Sequence, residues 1–305
     1  MPDRTVTTVI DPDRCIGCGE CVRVCPSRTL TMRDGKAAVT GDRSLGCGHC
    51  AAVCPAEAVR VEALDPASLR FNTFACRREW MPYGGCDPGE LVRLMASRRS
   101  CRCFEERPVE RALLEDLVRI GATAPSGTND QPWAFTVLPD RAAVMRLGDA
   151  VGAFFKRLNR MAANPLLRNG LKLVGRPELV DYFRDYYQSV SEGLADWEQR
   201  GLDRLFHGAT AAILVGSRPG ASCPAEDALL ATQNILLGAH ALGLGSCLIG
   251  FAVSAMQKDG RIQEALNIPR EETVHAVIAL GHPAVTYQRM AGRRRPGVRF
   301  VERGS

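Results

Sequence analysis

Two runs of cysteine near the N-terminus carry the residue types and spacing of metal–sulfur chemistry. The first reads Cys15-Ile-Gly-Cys18-Gly-Glu-Cys21-Val-Arg-Val-Cys25-Pro26, and the second reads Cys47-Gly-His-Cys50-Ala-Ala-Val-Cys54-Pro55. Thiolates spaced C-x2-C-x2-C-x3-C-P are the ligand set of iron–sulfur clusters. Gly17 and Gly19 let the backbone fold tightly around an inorganic core. Zinc is the weaker reading, because a tetrahedral ion needs four ligands and makes no use of the terminal Cys-Pro steps.

The stretch resembles a bacterial two-cluster ferredoxin domain. In that family three close thiolates take three irons of one cubane and the fourth crosses to the other. The resemblance therefore implies that Cys15, Cys18 and Cys21 hold one [4Fe-4S] cluster with Cys54, while Cys25 joins Cys47 and Cys50 on a second. The second run departs from the pattern at one place. Counting back from Cys54 puts its first ligand at position 44, which is Ser44. An alkoxide from Ser44, a cysteine from outside the motif, solvent or a three-iron [3Fe-4S] cluster would each complete that site. Two clusters are expected, because a dead second site leaves the surviving spacing and Cys54-Pro55 unexplained. Between the runs, residues 29–40 alternate like a hairpin about Asp34-Gly35.

A second constellation lies further on. Ser97-Arg98-Arg99-Ser100-Cys101-Arg102-Cys103-Phe104 precedes a Pro-Val and an amphipathic stretch from Glu110 to Ala122. Ala124-Pro125-Ser126-Gly127-Thr128-Asn129-Asp130-Gln131-Pro132-Trp133 then leads into an apolar run from Ala134 to Leu138. Clustered guanidinium groups clamp phosphate with fixed fork geometry. With these two motifs in this order the chain resembles a nitroreductase-family flavoprotein. The likeness extends through Pro224 to Phe251, read as a long buried helix, a glycine turn and a flavin-contacting strand. It continues into a strand from Thr273 to Leu280 and the arginine run 293–295. What it implies is FMN, with Arg98, Arg99, Ser100 and Arg102 at the phosphate and Arg293 and Arg295 completing that site. Pro125, Ser126, Asn129 and Gln131 would contact the flavin, partly from the opposite subunit of a homodimer, and Ile249 and Gly250 would line the ring. No side chain is expected to act as a catalytic acid or base.

The elements that position these residues follow from pattern. The chain has 305 residues, enough for one large and one small domain, and 46% hydrophobic composition supports a proper core. A ferredoxin-like domain is expected over 1–64, an ordered linker with aromatic residues at 71, 74, 80 and 83 over 65–89, and the nitroreductase-like domain over 90–305. The fold class is α+β, with a central, mostly antiparallel sheet flanked by helices. Asp87-Pro88-Gly89-Glu90 is a helix start, with a cap, a first-position proline and an acid in the first turn. An insert over 152–204 carries the helical stripe Leu179, Tyr182, Phe183, Tyr186, Tyr187, Val190, Leu194 and Trp197. Such stripes usually pack; the alternative is a substrate lid using Tyr186 or Trp197.

The remaining features exclude more than they add. Net charge is +5, and lysine occurs only at Lys36, Lys156, Lys172 and Lys258, so nothing points to nucleic acid. Met1 to Asp11 has no apolar core or cleavage-like segment, so no signal peptide is expected. The most apolar stretch, Ile235 to Phe251, is interrupted by His240, Ser246 and glycines, which argues against a membrane span. Thirteen cysteines in such a chain suggest cluster ligands and free thiols in a reducing cytoplasm. Cys76, Cys86, Cys101 and Cys103 match no compact metal motif, and the histidines are scattered.

Clusters move single electrons, whereas a flavin handles one or two. The expected function is an FMN-dependent oxidoreductase that passes electrons between clusters and flavin to reduce a small conjugated acceptor, nitroaromatic or quinone-like. External ferredoxin or NAD(P)H would be the donor. Alternatives are reductive dehalogenation or enone reduction on the same scaffold, or a non-enzymatic electron carrier or redox sensor.

Overall fold

The computed structural model describes residues 4–301. Residues 1–3 and 302–305, at the outer ends of the spans expected for the two domains, lie outside the described residues.

The small domain is built twice over from one pattern. Strand β1 (Thr8–Ile10) leads to α1 (Glu20–Val24), β2 (Leu30–Arg33) and β3 (Lys36–Val39); α2 (His49–Ala52) and β4 (Val59–Val61) follow. β1 pairs antiparallel with β4, and β2 with β3. Gly19 precedes α1 and Gly48 precedes α2, each at φ 74. This left-handed backbone turns each chain segment around its cysteines, and glycine adopts it without steric cost.

The linker is pinned at one point. The Asn72 N–H donates to both oxygens of Asp116 at 2.7 and 3.0 Å, and Thr73 adds its N–H at 2.8 Å and its hydroxyl at 2.7 Å. Asp116 is fully buried. Burial alone would raise its pKa, but these donors and Arg119 outweigh it and hold the carboxyl below its ordinary range. Phe71 and Phe74 stack at 4.4 Å. Trp80 and Tyr83 do not seat on this chain, being 74% and 97% exposed.

The large domain begins with α3 (Pro88–Ser97), capped by Asp87, which accepts from Gly89 N at 2.6 Å and Glu90 N at 3.1 Å. Then come α4 (Arg111–Gly121), β5 (Trp133–Leu138), α5 (Arg141–Ala163), α6 (Pro165–Leu173), α7 (Glu178–Asp185), α8 (Tyr187–Arg200) and β6 (Ala211–Ser217). α9 (Pro224–Ala241), β7 (Gly245–Leu248), α10 (Gly250–Met256), α11 (Gly260–Glu264) and β8 (Thr273–Gly281) complete it. The sheet order is β5-β6-β8-β7, all antiparallel. One face packs on α4 and α9 through Leu114, Leu117, Ile235 and Ile278, and the other packs on α5 and α10 through Val144, Leu147, Val277 and Met256. β6 is buried along its whole length, as a central strand covered on both faces must be.

Two expectations need correction. α9 is buried on one side only: Ala228, Ala231 and Ile235 are inside, while Leu229 and Leu230 are 50% and 45% exposed. The aromatic stripe is split between α7 and α8 by Tyr186, whose backbone leaves the helical region at φ −129.

Candidate functional site

The cysteines gather into two sets. Burial raises the Cys21 pKa, and the thiols of Cys54, Cys15 and Cys18 push the same way. Cys50 is raised by burial and by Cys25 and Cys47. Cys54 thus faces the first run, and Cys25 the second. The cradle also supplies donors. Thr29 N reaches Cys25 Sγ at 3.4 Å, and Ala58 N reaches Cys54 Sγ at 3.2 Å. Burial would raise Cys25, yet the Thr29 donors and neighbouring amides outweigh it and lower its pKa; Cys15 is lowered chiefly by the Ala37 and Gly17 amides. Hydrogen bonds of this kind favour thiolate, the form that binds iron. Gly17 has no room for a side chain, because an added Cβ would sit 2.2 Å from Gly35 O. Among the described residues no three His, Cys, Asp or Glu side chains converge as ligands of one metal ion would; the thiols ring a cradle instead.

The arginine motif is laid along β7. Ser100 bridges to Ser246 in parallel, and Cys101 N donates to Ser246 O at 2.9 Å. In an extended segment alternate side chains share a face, and Arg98, Ser100 and Arg102 all act on the thiol of Cys247. Burial pushes that thiol up, and Arg102, the Ser100 hydroxyl and Arg98 pull against it. The intervening Cys101 is buried against Gly245, where an added Cβ would come within 2.8 Å of its sulfur. Arg102, Cys247, Ile249 and Gly250 line a cleft of about 810 Å³. His207 stands in the same cleft, its pKa lowered by burial and then by Arg102. Separation in the chain hid this histidine from sequence reasoning.

Not every expected phosphate residue joins this cleft. Arg99 lines a second one, about 670 Å³, whose wall includes the tail residues Val285 and Met290. Arg98 borders that second cleft and not the first, and Ser100 lines neither. Arg293 and Arg295 lie on the exposed tail and line neither cleft; Arg293 donates to Gly292 O at 3.5 Å.

Pro125, Ser126, Asn129 and Gln131 form a loop elsewhere in the same chain. Thr128, Asn129 and Gln131 hold left-handed φ of 54, 58 and 48. Ser126 Oγ accepts from Gln131 N at 2.9 Å, and Gly127 N donates to the buried Asp227 carboxylate at 2.8 Å. Asn129 then crosses to the small domain, its Nδ2 donating to Leu45 O and Gly46 O, each at 3.2 Å. Arg4 returns the contact by donating to Thr128 O at 3.2 Å. The loop is therefore held against the chain that leads into Cys47.

The insert divides its aromatic residues by task. Trp197 packs on α5, where a Cβ added to Gly148 would come within 2.8 Å of its ring, and its Nε1 donates to Asp149 at 3.1 Å. Tyr186 is half exposed and meets Phe251 edge-on at 5.9 Å, both on the wall of the Arg102 cleft. Cys76 and Cys86 are exposed in the linker, Cys103 is exposed beyond the arginine motif, and Cys101 is buried.

Residues 95–282 match the nitroreductase family, and residues 8–61 match the 4Fe-4S dicluster domain. The chain is 26% identical over 203 residues to the 4-nitrobenzoate reductase of Nocardioides sp., covering 62% of this chain and 78% of that protein. It is 34% identical over 134 residues to the iodotyrosine deiodinase of Haliscomenobacter hydrossis, covering 37% of this chain and 60% of that one. The fold is that of a nitroreductase with bound FMN from Bacteroides fragilis, at TM-score 0.51 and 19% identity, over 70% of this chain and 99% of the other. The match over residues 95–282, on an antiparallel sheet with the arginine motif laid along β7, places the chain in the nitroreductase family of oxidoreductase enzymes, with a 4Fe-4S dicluster domain ahead of its catalytic half.

Proposed function

We propose that this protein is a cytoplasmic, homodimeric FMN oxidoreductase in which electrons pass between two iron–sulfur clusters and the flavin to reduce a small conjugated acceptor, nitroaromatic or quinone-like. The observation that carries the reading is the Asn129 bridge, because it holds the approach to Cys47 against the family's flavin-contacting loop. FMN, when bound, exchanges electrons singly or in pairs.

The chain's own residues fit that group. Arg102, Arg98 and Ser100 would hold the phosphate through charge-assisted bonds. Gly250 supports a ring laid against the backbone: an added Cβ there would meet nothing within 4 Å, so protein packing does not require glycine. Tyr186 and Phe251 would offer a flat acceptor an aromatic wall and keep water from it. His207, with its lowered pKa, leaves Arg102 as the nearer positive charge. A second copy suits the exposed apolar side chains Leu91, Val92 and Met95 of α3 and Leu229 and Leu230 of α9. It would also bring a Ser126–Gln131 loop to a cleft that this chain's own loop does not line.

The test is anaerobic. Reduced holoprotein is mixed with nitroaromatic and quinone acceptors while flavin absorbance is followed. Prompt reoxidation supports the reading, and reoxidation by a protein partner alone points instead to an electron carrier. Similarity to iodotyrosine deiodinase favours a second reading, reductive dehalogenation. A halotyrosine in the same assay, with halide release measured, distinguishes it.

A further inference from the structure

The second cluster site has three cysteines, and the structure bears on what completes it. Cys25, Cys47 and Cys50 surround a small cavity that Ser44 also lines. None of Cys76, Cys86, Cys101, Cys103, Cys223 and Cys247 borders that cavity. His49 does, but it occupies in α2 the place that Glu20 occupies in α1. Glu20 turns outward to Arg23, and His49 is likewise exposed.

The internal repeat of the domain makes the comparison sharper. Gly17 and Gly46, Gly19 and Gly48, Arg28 and Glu57 hold left-handed backbone in matching places, with φ of 73 and 58, 74 and 74, and 52 and 48. The N–H bonds to Cys25 and Cys54 match as well. In this superposition of the two halves Ser44 takes the place of Cys15. The side-chain atom is placed as well: the Gly46 N–H donates to Ser44 Oγ at 3.0 Å, so the oxygen is held by the amide two residues on while it lines the cavity of Cys25, Cys47 and Cys50. A donor of this kind also stabilises negative charge on the atom that accepts it.

We propose that Ser44 is the fourth ligand of the second cluster, making it a [4Fe-4S] cluster with three thiolates and one alkoxide. The inference rests on the cluster reading above and deepens it. Ligation would be an exchange without redox change: Ser44 would give up its hydroxyl proton to solvent and its oxygen would take the one iron position that Cys25, Cys47 and Cys50 leave, displacing water. Oxygen is the harder donor and concentrates more charge on that iron than sulfur does, so the second cluster is the harder of the two to reduce.

The experiment uses full-length holoprotein purified anaerobically, with iron analysis, Mössbauer and EPR spectroscopy, and FMN content read from the same samples. The parent is expected to hold about eight irons per chain, with one iron site distinct by Mössbauer and no three-iron EPR signal after mild oxidation. Ser44→Ala should lose about one iron and acquire that signal, while FMN and the first cluster are unchanged. Ser44→Cys should keep all the irons, lose the distinct site and raise the second cluster's potential. A three-iron signal in the parent, or an unchanged Mössbauer spectrum in Ser44→Ala, overturns the assignment. Iron confined to the first site overturns it too, but leaves the first cluster standing. Iron absent from both sites, with FMN retained, overturns the cluster reading beneath it.

Discussion

Asn129 donates its side-chain amide to Gly46 O at 3.2 Å, one residue before Cys47. The same nitrogen reaches Leu45 O, so one side chain of the catalytic domain closes two backbone acceptors of the small one. Such bonds contribute about 0.5–1.5 kcal/mol each, and more when a buried group is left unpaired. Asn129→Ala should therefore loosen the contact by roughly 1–3 kcal/mol. Hydrogen exchange at residues 44–47 should rise by roughly tenfold to a hundredfold. Unchanged protection there would show that the domains are held by something else.

Arg102 is expected to dominate phosphate binding, because it lines the cleft with Ile249 and Gly250, whereas Arg99 faces the neighbouring cleft. A charge-assisted bond is worth about 1.5–3 kcal/mol. Arg102→Ala should raise the Kd for FMN by roughly tenfold or more, and Arg99→Ala by clearly less. Fluorescence titration of the flavin-free protein measures both. Equal losses would place the phosphate between the two clefts.

Local patterns were legible in the sequence, and long-range meetings were not. The 4Fe-4S dicluster domain could be read because its cysteine spacing is set within a few residues, and the Asp87 cap because its donors are the Gly89 and Glu90 amides. The amphipathic helix expected over 110–122 and the strands expected over 134–138 and 273–280 are present as α4, β5 and β8, whereas the central strand β6 was not anticipated. Asp116 gave no sign of its role, since its partners Asn72 and Thr73 lie 44 and 43 residues away. Asn129 was singled out for the flavin, but its partner in this chain comes from the small domain. That loop holds left-handed backbone at Thr128, Asn129 and Gln131, where only Asn has any preference for it. Arg293 and Arg295 were grouped with Arg102 by family pattern, and within one chain the tail carries them elsewhere. Tyr186 broke a stripe that periodicity alone would have run straight through.

His275 supplies a pH test. It is depressed by burial, with Glu226 opposing, and Ser217 Oγ lies 2.9 Å from its Nε2. The native imidazole takes its proton at a lower pH than the unfolded one, which takes it below about pH 6.5. The unfolded state then binds more protons, so this contribution is fully present above that pH and is lost as pH falls through it. Between pH 7.5 and 5.5 the Tm of the parent should fall, and His275→Gln should flatten that part of the profile. A parent whose Tm is level across the window would contradict the assignment.

The route of electrons can be tested by removing one cluster and keeping the rest. Cys18 and Cys21 belong to the set completed by Cys54, whereas Cys47 heads the loop that Asn129 holds. In the proposed arrangement the first cluster would be the outer station and the second the one facing the catalytic domain. A Cys18→Ala, Cys21→Ala variant should retain FMN, since neither residue lines the Arg102 cleft. Its flavin should be reduced by a one-electron donor such as reduced ferredoxin at least about tenfold more slowly, a loss of roughly 1.4 kcal/mol in the barrier. Reduction by NAD(P)H should be unchanged if hydride reaches the flavin directly. Stopped-flow absorbance with each donor, in parent and variant, separates the two routes. Equal rates with ferredoxin in both proteins would mean that the clusters are bypassed, and the proposed coupling of the two domains would fall with them.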